Sequence, residues 1–246
     1  MKLGKAFEIV NEETPLKDGK TGLIVFDIDD TLLHADSSIM GIIIQHFTET
    51  GKWENIDRED TAQFAKSKYK DENGKAKPGY RFDFSEYRDP EKIKQSMFKT
   101  NDKNGKQISK GAEPLVANLR MMDSNLRAGY KVAFLTARGA ESHVFANLMK
   151  WLKYRKTTGE LVDLRTERFS LNDSRAVNDT KYEKEYAGMT DGQKKAAFLK
   201  DKCSKYDRVK FVDDDKTNLA AMRALKLPNL QVIEAQGISH NKRLGK

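Results

Sequence analysis

Three carboxylates follow a short apolar segment near the start of the chain. Four consecutive apolar residues at 23–26 precede Asp27, Asp29 and Asp30. Such a run is typical of a strand that is buried on both faces. Carboxylates this close repel one another unless a cation lies among them, and oxygen ligands of this kind suit Mg²⁺. The segment therefore predicts a magnesium site at the carboxyl end of a strand, where open parallel sheets bind ligands.

A second segment repeats this pattern late in the chain. The short strand predicted at 209–212 is followed by Asp213, Asp214 and Asp215, and Asn218 lies four residues after Asp214. Two strands of one parallel sheet end at the same edge. We therefore expect the two acidic segments to lie close together.

Two further segments carry polar groups at the ends of predicted elements. An apolar strand at 131–135 ends in Thr136, and Arg138 follows. A helix-start signal at Thr190 precedes Lys194 and Lys195, which lie in the first turns of an amphipathic helix. Taken alone, Thr136 is better explained as a strand-end residue that caps the next helix, and a functional role depends on its context.

The four segments, in this order, resemble the signatures of the haloacid dehalogenase (HAD) superfamily of aspartyl phosphotransferases. The residues that carry the resemblance are FDIDDTL at 26–32, LTAR at 135–138, the lysine pair at 194–195 and VDD at 212–214. Within the superfamily they are similar to phosphatase-type proteins of large tailed bacteriophages and to the phosphatase domain of phage polynucleotide kinase. A phage-encoded protein would act in the host cytoplasm.

The resemblance implies roles for the four aspartates. Asp27 would be the nucleophile that takes up the phosphoryl group, and Asp29 would be the general acid and base. Mg²⁺ would be held by Asp27, by Asp214 and by the backbone carbonyl of Asp29. Asp213 would support the residues that hold the metal, or would act through a lysine. Retention of Asp29 favours phosphatases and phosphomutases over dehalogenases and ion-pumping ATPases.

The remaining roles concern the phosphoryl oxygens. Thr136 and a lysine would bind them, and we prefer Lys195 to Lys194 because it lies one turn from the apolar face of its helix. Thr31 would shape the acidic loop and hydrogen-bond Asp29, or only stabilise the turn. Arg138 could reach substrate phosphate, although a surface position at a helix start is an equal alternative.

The resemblance also implies a fold. We expect an α/β protein with the three-layer, Rossmann-like HAD fold, a central parallel sheet and an α+β insert after the first strand. The catalytic core would comprise residues 21–33 and 113–246, and the flap or cap insert would comprise 34–112. Residues 1–20 are predicted to be an N-terminal extension.

Secondary structure outside the signatures is predicted more coarsely. In the insert we expect a strand or hairpin arm at 39–44, a turn at 48–52, a short helix at 58–69, a charged loop at 70–79 and a strand, or the wall of a pocket, at 80–87. In the core we expect helices at 115–126, with Pro114 in the first turn, and at 141–154. A strand near 168–171, a loop at 172–188, a helix after Asn218 and a last strand at 230–233 complete the prediction.

Composition limits the class of protein and its partners. Charged residues make up 33% of the 246 residues, and the formal net charge is +8. An anionic substrate or nucleic acid is therefore a plausible partner. The single Cys203 excludes an internal disulfide and agrees with a cytoplasmic location. No apolar segment is long enough to predict a membrane span.

Together these features predict a Mg²⁺-dependent phosphomonoester hydrolase that acts through an aspartyl-phosphate. The substrate would be a nucleotide, a small phosphometabolite or a nucleic-acid phosphate end. The sequence has no Gly-x-x-x-x-Gly-Lys-Ser/Thr loop, so a kinase domain of the polynucleotide kinase type is not expected. The alternatives are a non-catalytic protein of the same fold that binds nucleic acid or a protein partner, and a phosphomutase.

Overall fold

The computed structural model describes residues 16, 20–36, 38–60, 63–64, 66–72, 74–141, 144–145, 148, 153–155, 161–163 and 168–236. Most of the predicted N-terminal extension and the basic C-terminal residues lie outside this part of the chain. Two compact units are present. The first comprises residues 1–34, 113–141 and 145–246, and the second comprises 35–112 and 142–144.

The elements are numbered here in chain order. The strands are β1 (Gly22–Phe26), β2 (Leu33–His34), β3 (Ile42–Phe47), β4 (Trp53–Glu59), β5 (Tyr80–Asp83), β6 (Lys99–Asn101), β7 (Gln107–Lys110), β8 (Glu113–Pro114), β9 (Lys131–Thr136), β10 (Lys153–Arg155), β11 (Leu161–Asp163), β12 (Arg175–Ala176), β13 (Arg208–Asp213) and β14 (Leu230–Glu234). The helices are α1 (Pro90–Met97), α2 (Val116–Arg127), α3 (Asp191–Cys203) and α4 (Lys216–Ala224). No helix in the described part of the chain is both long and apolar enough to cross a membrane.

A five-stranded sheet forms the centre of the first unit. Its strand order is β12-β9-β1-β13-β14. Every neighbouring pair is parallel. Residues 23–26 of β1 are fully buried, as expected for a central strand covered on both faces. The predicted α/β class with a central parallel sheet is confirmed.

Helices cover both faces of this sheet. On one face, α3 and α4 pack through Phe198, Leu199 and Leu219 against Val25 and Phe211 of the central strands. Adjacent residues of a strand point to opposite faces. Lys210, next to Phe211, donates a hydrogen bond of 3.0 Å from Nζ to Oδ1 of Asn125, which places α2 on the other face. The result is three layers with the carboxyl ends of β1 and β13 side by side.

The region between β9 and α3 differs from the prediction. The helix predicted at 141–154 is helical at the described residues 141, 144, 145 and 148, but 153–155 form β10, which pairs antiparallel with β11. The strand predicted near 168–171 is reduced to a single bridge from Phe169 to Val132. The sheet strand is β12 instead, inside the segment predicted to be a loop. With two paired residues, β12 is too short to show a periodic pattern.

The second unit contains a three-stranded antiparallel sheet with the order β4-β3-β5. The turn predicted at 48–52 joins β3 to β4, and the strand predicted at 80–87 is confirmed for residues 80–83. The helix predicted at 58–69 is wrong at its start, because Arg58 and Glu59 belong to β4. Only Gln63 and Phe64 are helical among the described residues there. As an exposed edge strand, β4 carries polar residues on both faces, so it lacks the alternation of apolar and polar residues that predicts a strand.

Helix α1 and the start of helix α2 also differ from the prediction. Helix α1 was not predicted, although Asp89 caps it by accepting from the backbone N–H groups of Glu91 and Lys92, with Pro90 in the first turn. Pro114 pairs with Leu33 as part of β8, and helix α2 begins at Val116. Ile93 and Met97 of α1 are fully buried and four positions apart, a helical signal that the prediction missed, whereas the two-residue β8 leaves no apolar period.

A buried carboxylate holds the second unit together. Glu86 is 7% exposed and pairs with Arg58 at 2.7 Å and with Lys92 at 2.5 Å. It also accepts from the backbone N–H of Gly41 at 2.7 Å. Burial alone would raise the pKa of Glu86, but the hydrogen bonds from Arg58, Lys92 and Gly41 outweigh it and lower the pKa to about 2. The ionised side chain therefore joins β4, α1 and the start of β3.

We expect Glu86→Gln to destabilise the protein by about 2–3 kcal/mol at neutral pH, because the contacts that lower the pKa of Glu86 stabilise its ionised form in the folded protein. The contribution is complete above the unfolded-state pKa near 4.5 and is lost as the pH falls through the folded-state pKa of about 2. Urea unfolding should therefore show a smaller difference between variant and wild type at about pH 3. Glu91→Gln, which removes an exposed pair with Lys94 at 3.8 Å, should change stability by less than about 0.5 kcal/mol. An equal loss in both variants would contradict the assignment.

Candidate functional site

Three carboxyl groups meet at the carboxyl edge of the central sheet. Phe26 of β1 lies opposite Val212 of β13, and the N–H of Asp27 donates to the carbonyl of Val212 at 2.9 Å. This register brings Asp27 beside Asp213 and Asp214. Oxygen atoms of the three side chains lie within 4.8 Å of one another. The two acidic segments therefore form one cluster, as the strand pattern predicted.

A buried ammonium group lies inside this cluster. Nζ of Lys195 donates to Oδ1 of Asp27 at 2.9 Å and to Oδ2 of Asp213 at 2.8 Å, and the residue is 1% exposed. The capping box formed by Thr190 and Gln193 fixes the start of α3 and thus the position of this lysine. Lys195 consequently joins the ends of β1 and β13 to the first turns of α3.

The neighbouring lysine has different contacts. Nζ of Lys194 donates to Oδ1 of Asn178 and lies 3.3 Å from Oδ1 of Asp191. Asn178 in turn donates from Nδ2 to the carbonyl of Ala137 at 2.6 Å. Of the two lysines considered from the sequence, Lys195 is therefore the one in contact with the acidic cluster. Lys194 instead supports the loop after β9 through Asn178, a residue that sequence reasoning missed.

Asp213 is held by protein groups on both of its oxygens. In addition to Lys195, Oδ2 accepts from Nδ2 of Asn218 at 3.1 Å, and Oδ1 accepts from the backbone N–H of Asp215 at 2.8 Å. Asp213 is completely buried. Among the described residues, Asp27 accepts one side-chain hydrogen bond, from Lys195, and Asp214 accepts one, from Thr31. These contacts suit Asp213 to a supporting position and leave Asp27 and Asp214 better placed to accept a cation.

The loop after β1 is shaped differently from the prediction. The hydroxyl of Thr31 donates to Oδ1 of Asp214 at 3.1 Å, so the expected hydrogen bond from Thr31 to Asp29 is wrong. Asp30 turns the chain with φ 55°, and its Oδ1 lies 2.6 Å from Nδ1 of His34. Thr31 thereby links the first acidic segment to the second. No local sequence pattern distinguishes Asp29 from Asp214 as its acceptor.

Asp29 is held by Arg138. The guanidinium donates from Nε to Oδ2 at 2.8 Å and from Nη2 to Oδ1 at 2.5 Å. Arg138 is 2% exposed, whereas the side chain of Asp29 is 38% exposed. The alternative of a surface arginine at a helix start is therefore wrong. The ion pair fixes the orientation of Asp29 and leaves part of its carboxylate open to solvent.

Thr136 lies at the end of β9, where the prediction placed it. It is 1% exposed, and its Oγ1 accepts from the backbone N–H of Arg138 at 3.2 Å. A hydroxyl that accepts in this way retains its own proton for a second partner. Thr136 can thus donate to an anion at the same edge of the sheet.

Burial and mutual repulsion act on the ionisation of the cluster. Burial raises the pKa of Asp27 well above its ordinary value, against the opposing effect of Lys195, and Asp213 adds to the rise. Burial, Asp213 and Asp30 raise the pKa of Asp214 to about 6. For Lys195, burial disfavours the charged amine, but Asp27 and Asp213 outweigh it and raise its pKa.

These shifts give a physical test of whether a cation fits. A single ammonium group faces three carboxylates, and the pKa values of Asp27 and Asp214 are raised first by burial and then by the neighbouring carboxylates. Carboxylate oxygens converging in this way are ligands that Mg²⁺ prefers. Asp27 and Asp214 are the residues that would hold it. The implied metal contact of the Asp29 carbonyl stays a prediction.

No family model matches the chain, and no curated protein matches its sequence.

Proposed function

We propose that this protein is a Mg²⁺-dependent phosphomonoester hydrolase of the HAD type, which acts through an aspartyl-phosphate on Asp27. The observation that carries the proposal is the position of Lys195, whose ammonium group lies between Asp27 and Asp213 in a cluster completed by Asp214. The substrate would be a nucleotide, a small phosphometabolite or a nucleic-acid phosphate end. The net charge of +8 favours an anionic substrate of this kind.

Neutralisation of charge is the first requirement of the reaction. A phosphomonoester dianion and the Asp27 carboxylate repel each other, so attack needs positive charge at the reacting centre. Mg²⁺ held by Asp27 and Asp214 would supply it by neutralising the phosphoryl oxygens. Lys195 contributes a permanent positive charge at Asp27, and its raised pKa keeps it protonated.

Asp27 is the nucleophile in the first half of the reaction. One of its oxygens forms a bond to phosphorus as the bond from phosphorus to the leaving oxygen breaks. Asp29 enters this step as the carboxylic acid and gives its proton to the leaving oxygen, so an alcohol departs, the phosphoryl group stays on Asp27 and Asp29 is left as the carboxylate. Thr136 donates a hydrogen bond from its hydroxyl to a phosphoryl oxygen during this transfer.

Water completes the second half. Asp29 accepts a proton from water as the water oxygen attacks phosphorus, and the bond from Asp27 to phosphorus breaks to release phosphate. Arg138 holds Asp29 in one orientation through both steps, by the two hydrogen bonds to its carboxylate. Asp29 serves proton transfer, which a protein that only binds ligands does not need. This favours a hydrolase over the non-catalytic alternative.

The test is phosphate release from p-nitrophenyl phosphate, a nucleotide panel and an oligonucleotide with a 3′-phosphate, in Mg²⁺ or in EDTA. We expect release that needs Mg²⁺ and is absent in the Asp27→Asn variant. Release that persists in EDTA or in the variant would exclude the aspartyl-phosphate mechanism. Absence of turnover in a folded protein that binds Mg²⁺ would favour the non-catalytic alternative. Transfer between positions of a bisphosphate, without net phosphate release, would indicate a phosphomutase.

A further inference from the structure

An exposed aromatic pair lies at the hairpin end of the β4-β3-β5 sheet. Phe47 and Trp53 are opposite each other on β3 and β4, with ring centroids 5.1 Å apart, and they are 46% and 37% exposed. The guanidinium of Arg81 lies 4.5 Å from the centre of the Trp53 ring. Gln45 accepts from Nε of Arg81 at 2.5 Å and donates to Asn55 at 2.7 Å. We call these five residues the aromatic platform.

The aromatic platform is not needed to cover the core of its own unit. Side chains alternate between the faces of a sheet, so Tyr80 and Phe82 point away from Arg81. The ring centroids of Tyr80 and Tyr69 are 5.2 Å apart, and those of Phe82 and Phe64 are 4.8 Å apart. One face of the sheet is therefore packed. The other face exposes two large rings side by side. Contiguous exposed apolar groups rimmed by polar ones are typical of interaction sites.

A groove adjoins the aromatic platform on β5. It has a volume of about 610 Å³ and is lined by residues that include Arg81, Asp83 and Arg88. Asp83 already accepts from the N–H of Ser85 at 2.7 Å, as Asp89 does from the start of α1. Among the described residues, neither Arg81 nor Arg88 forms an ion pair. The groove thus offers two guanidinium groups to an anion, although Asp83 and Asp89 balance them in formal charge.

We propose that the aromatic platform and this groove bind single-stranded nucleic acid. Unpaired bases would stack on Trp53 and Phe47, and phosphodiester groups would contact Arg81 and Arg88. Stacking of bases on aromatic rings, together with contacts from basic side chains to the backbone, is how proteins bind single strands without reading their sequence. The amides of Gln45 and Asn55 offer donors and acceptors to base edges. This inference goes beyond the proposed hydrolase and does not depend on it, because no residue of the acidic cluster takes part.

The chemistry of the platform favours single strands over other polyanions. A base must be unpaired to lie flat on a side chain, so a duplex could use only the arginines. A protein partner could cover the rings, but its binding would lack the salt dependence that release of counterions from phosphates produces. Affinity, salt dependence and competition by duplex therefore separate the three occupants.

The experiment measures fluorescence anisotropy of a labelled single-stranded oligonucleotide of roughly 12 nucleotides with hydroxyl groups at both ends. Such a probe has no phosphomonoester, so failure of the proposed hydrolase would not affect the result. We expect Trp53→Ala to weaken binding about ten- to hundredfold with the salt slope unchanged, and Trp53→Phe to restore most of the affinity. Arg81→Gln and Arg88→Gln should each reduce the slope of log K against log salt by about one.

Lys103→Gln is the matched control, because Lys103 is an exposed cation of the same unit outside the aromatic platform. It should leave both affinity and slope close to those of the wild type. Three results would overturn the proposal: no binding of the oligonucleotide by the full chain, equal competition by duplex of the same length, or a loss in Lys103→Gln as large as in Arg88→Gln. Circular dichroism of Trp53→Phe and Trp53→Ala checks that loss of binding does not reflect unfolding.

Discussion

Asp27→Asn is expected to abolish phosphate release and, at the same time, to raise the thermal stability of the metal-free protein. Activity should fall by about four orders of magnitude or more, because no other residue replaces a lost nucleophile. Stability should rise, since the raised pKa of Asp27 reflects the cost of burying its charge. Lys195 keeps its partner Asp213, at 2.8 Å, so the substitution leaves no unpaired buried amine.

Thermal unfolding in EDTA and in Mg²⁺ checks this prediction. The wild type should gain stability when Mg²⁺ is added, and the variant should lose most of that gain because a ligand has been removed. Asp36→Asn is the matched control. Asp36 is similarly buried at 3% exposure, but its hydrogen bonds from Ser38, Lys110 and Ser109 overcome the effect of burial and lower its pKa. That variant should lose stability and keep its response to Mg²⁺. A loss of stability in Asp27→Asn would contradict our account of the cluster.

Part of the site could be predicted from the sequence, because it depends on local patterns of residues. The acidic segments were predictable because a short apolar run followed by carboxylates is a local pattern, and parallel pairing of β1 with β13 brings the two segments together. The start of α3 was predictable from its capping box. Local chemistry of this kind depends on residues within a few positions of one another.

Contacts between distant residues were not predictable in the same way. Arg138 meets Asp29 across 109 positions of the chain, and Thr31 meets Asp214 across 183. Each of these two donors could pair with several carboxylates of the sequence, and only the folded sheet determines which carboxylate it meets. The edge strands β4 and β12 were missed for a related reason. An exposed or very short strand buries little apolar surface, so its pairing leaves no periodic signal.

Lys195→Met is expected to destabilise the metal-free protein by about 3–5 kcal/mol and to lower the rate of phosphate release by about two to three orders of magnitude. The substitution retains the apolar stem and removes the ammonium group that contacts Asp27 and Asp213. Two buried carboxylates would then face each other and Asp214 without a counter-charge. Lowering the pH should reduce the penalty, because burial has already raised the pKa of Asp27 and protonation removes its charge.

Lys194→Met provides the comparison that separates the two neighbouring lysines. Its Nζ contacts Asn178 and Asp191 at the edge of the site, so the substitution should cost about 1 kcal/mol or less and only modestly slow the reaction. Thermal unfolding with and without Mg²⁺ measures the stability of both variants, and initial rates with p-nitrophenyl phosphate measure their activity. Mg²⁺ should recover part of the stability lost in Lys195→Met, since a cation bound by Asp27 and Asp214 supplies some of the missing charge. If Lys194→Met were the more damaging change, the charge that supports Asp27 would have to come from Lys194, and the mechanism built on Lys195 would be wrong.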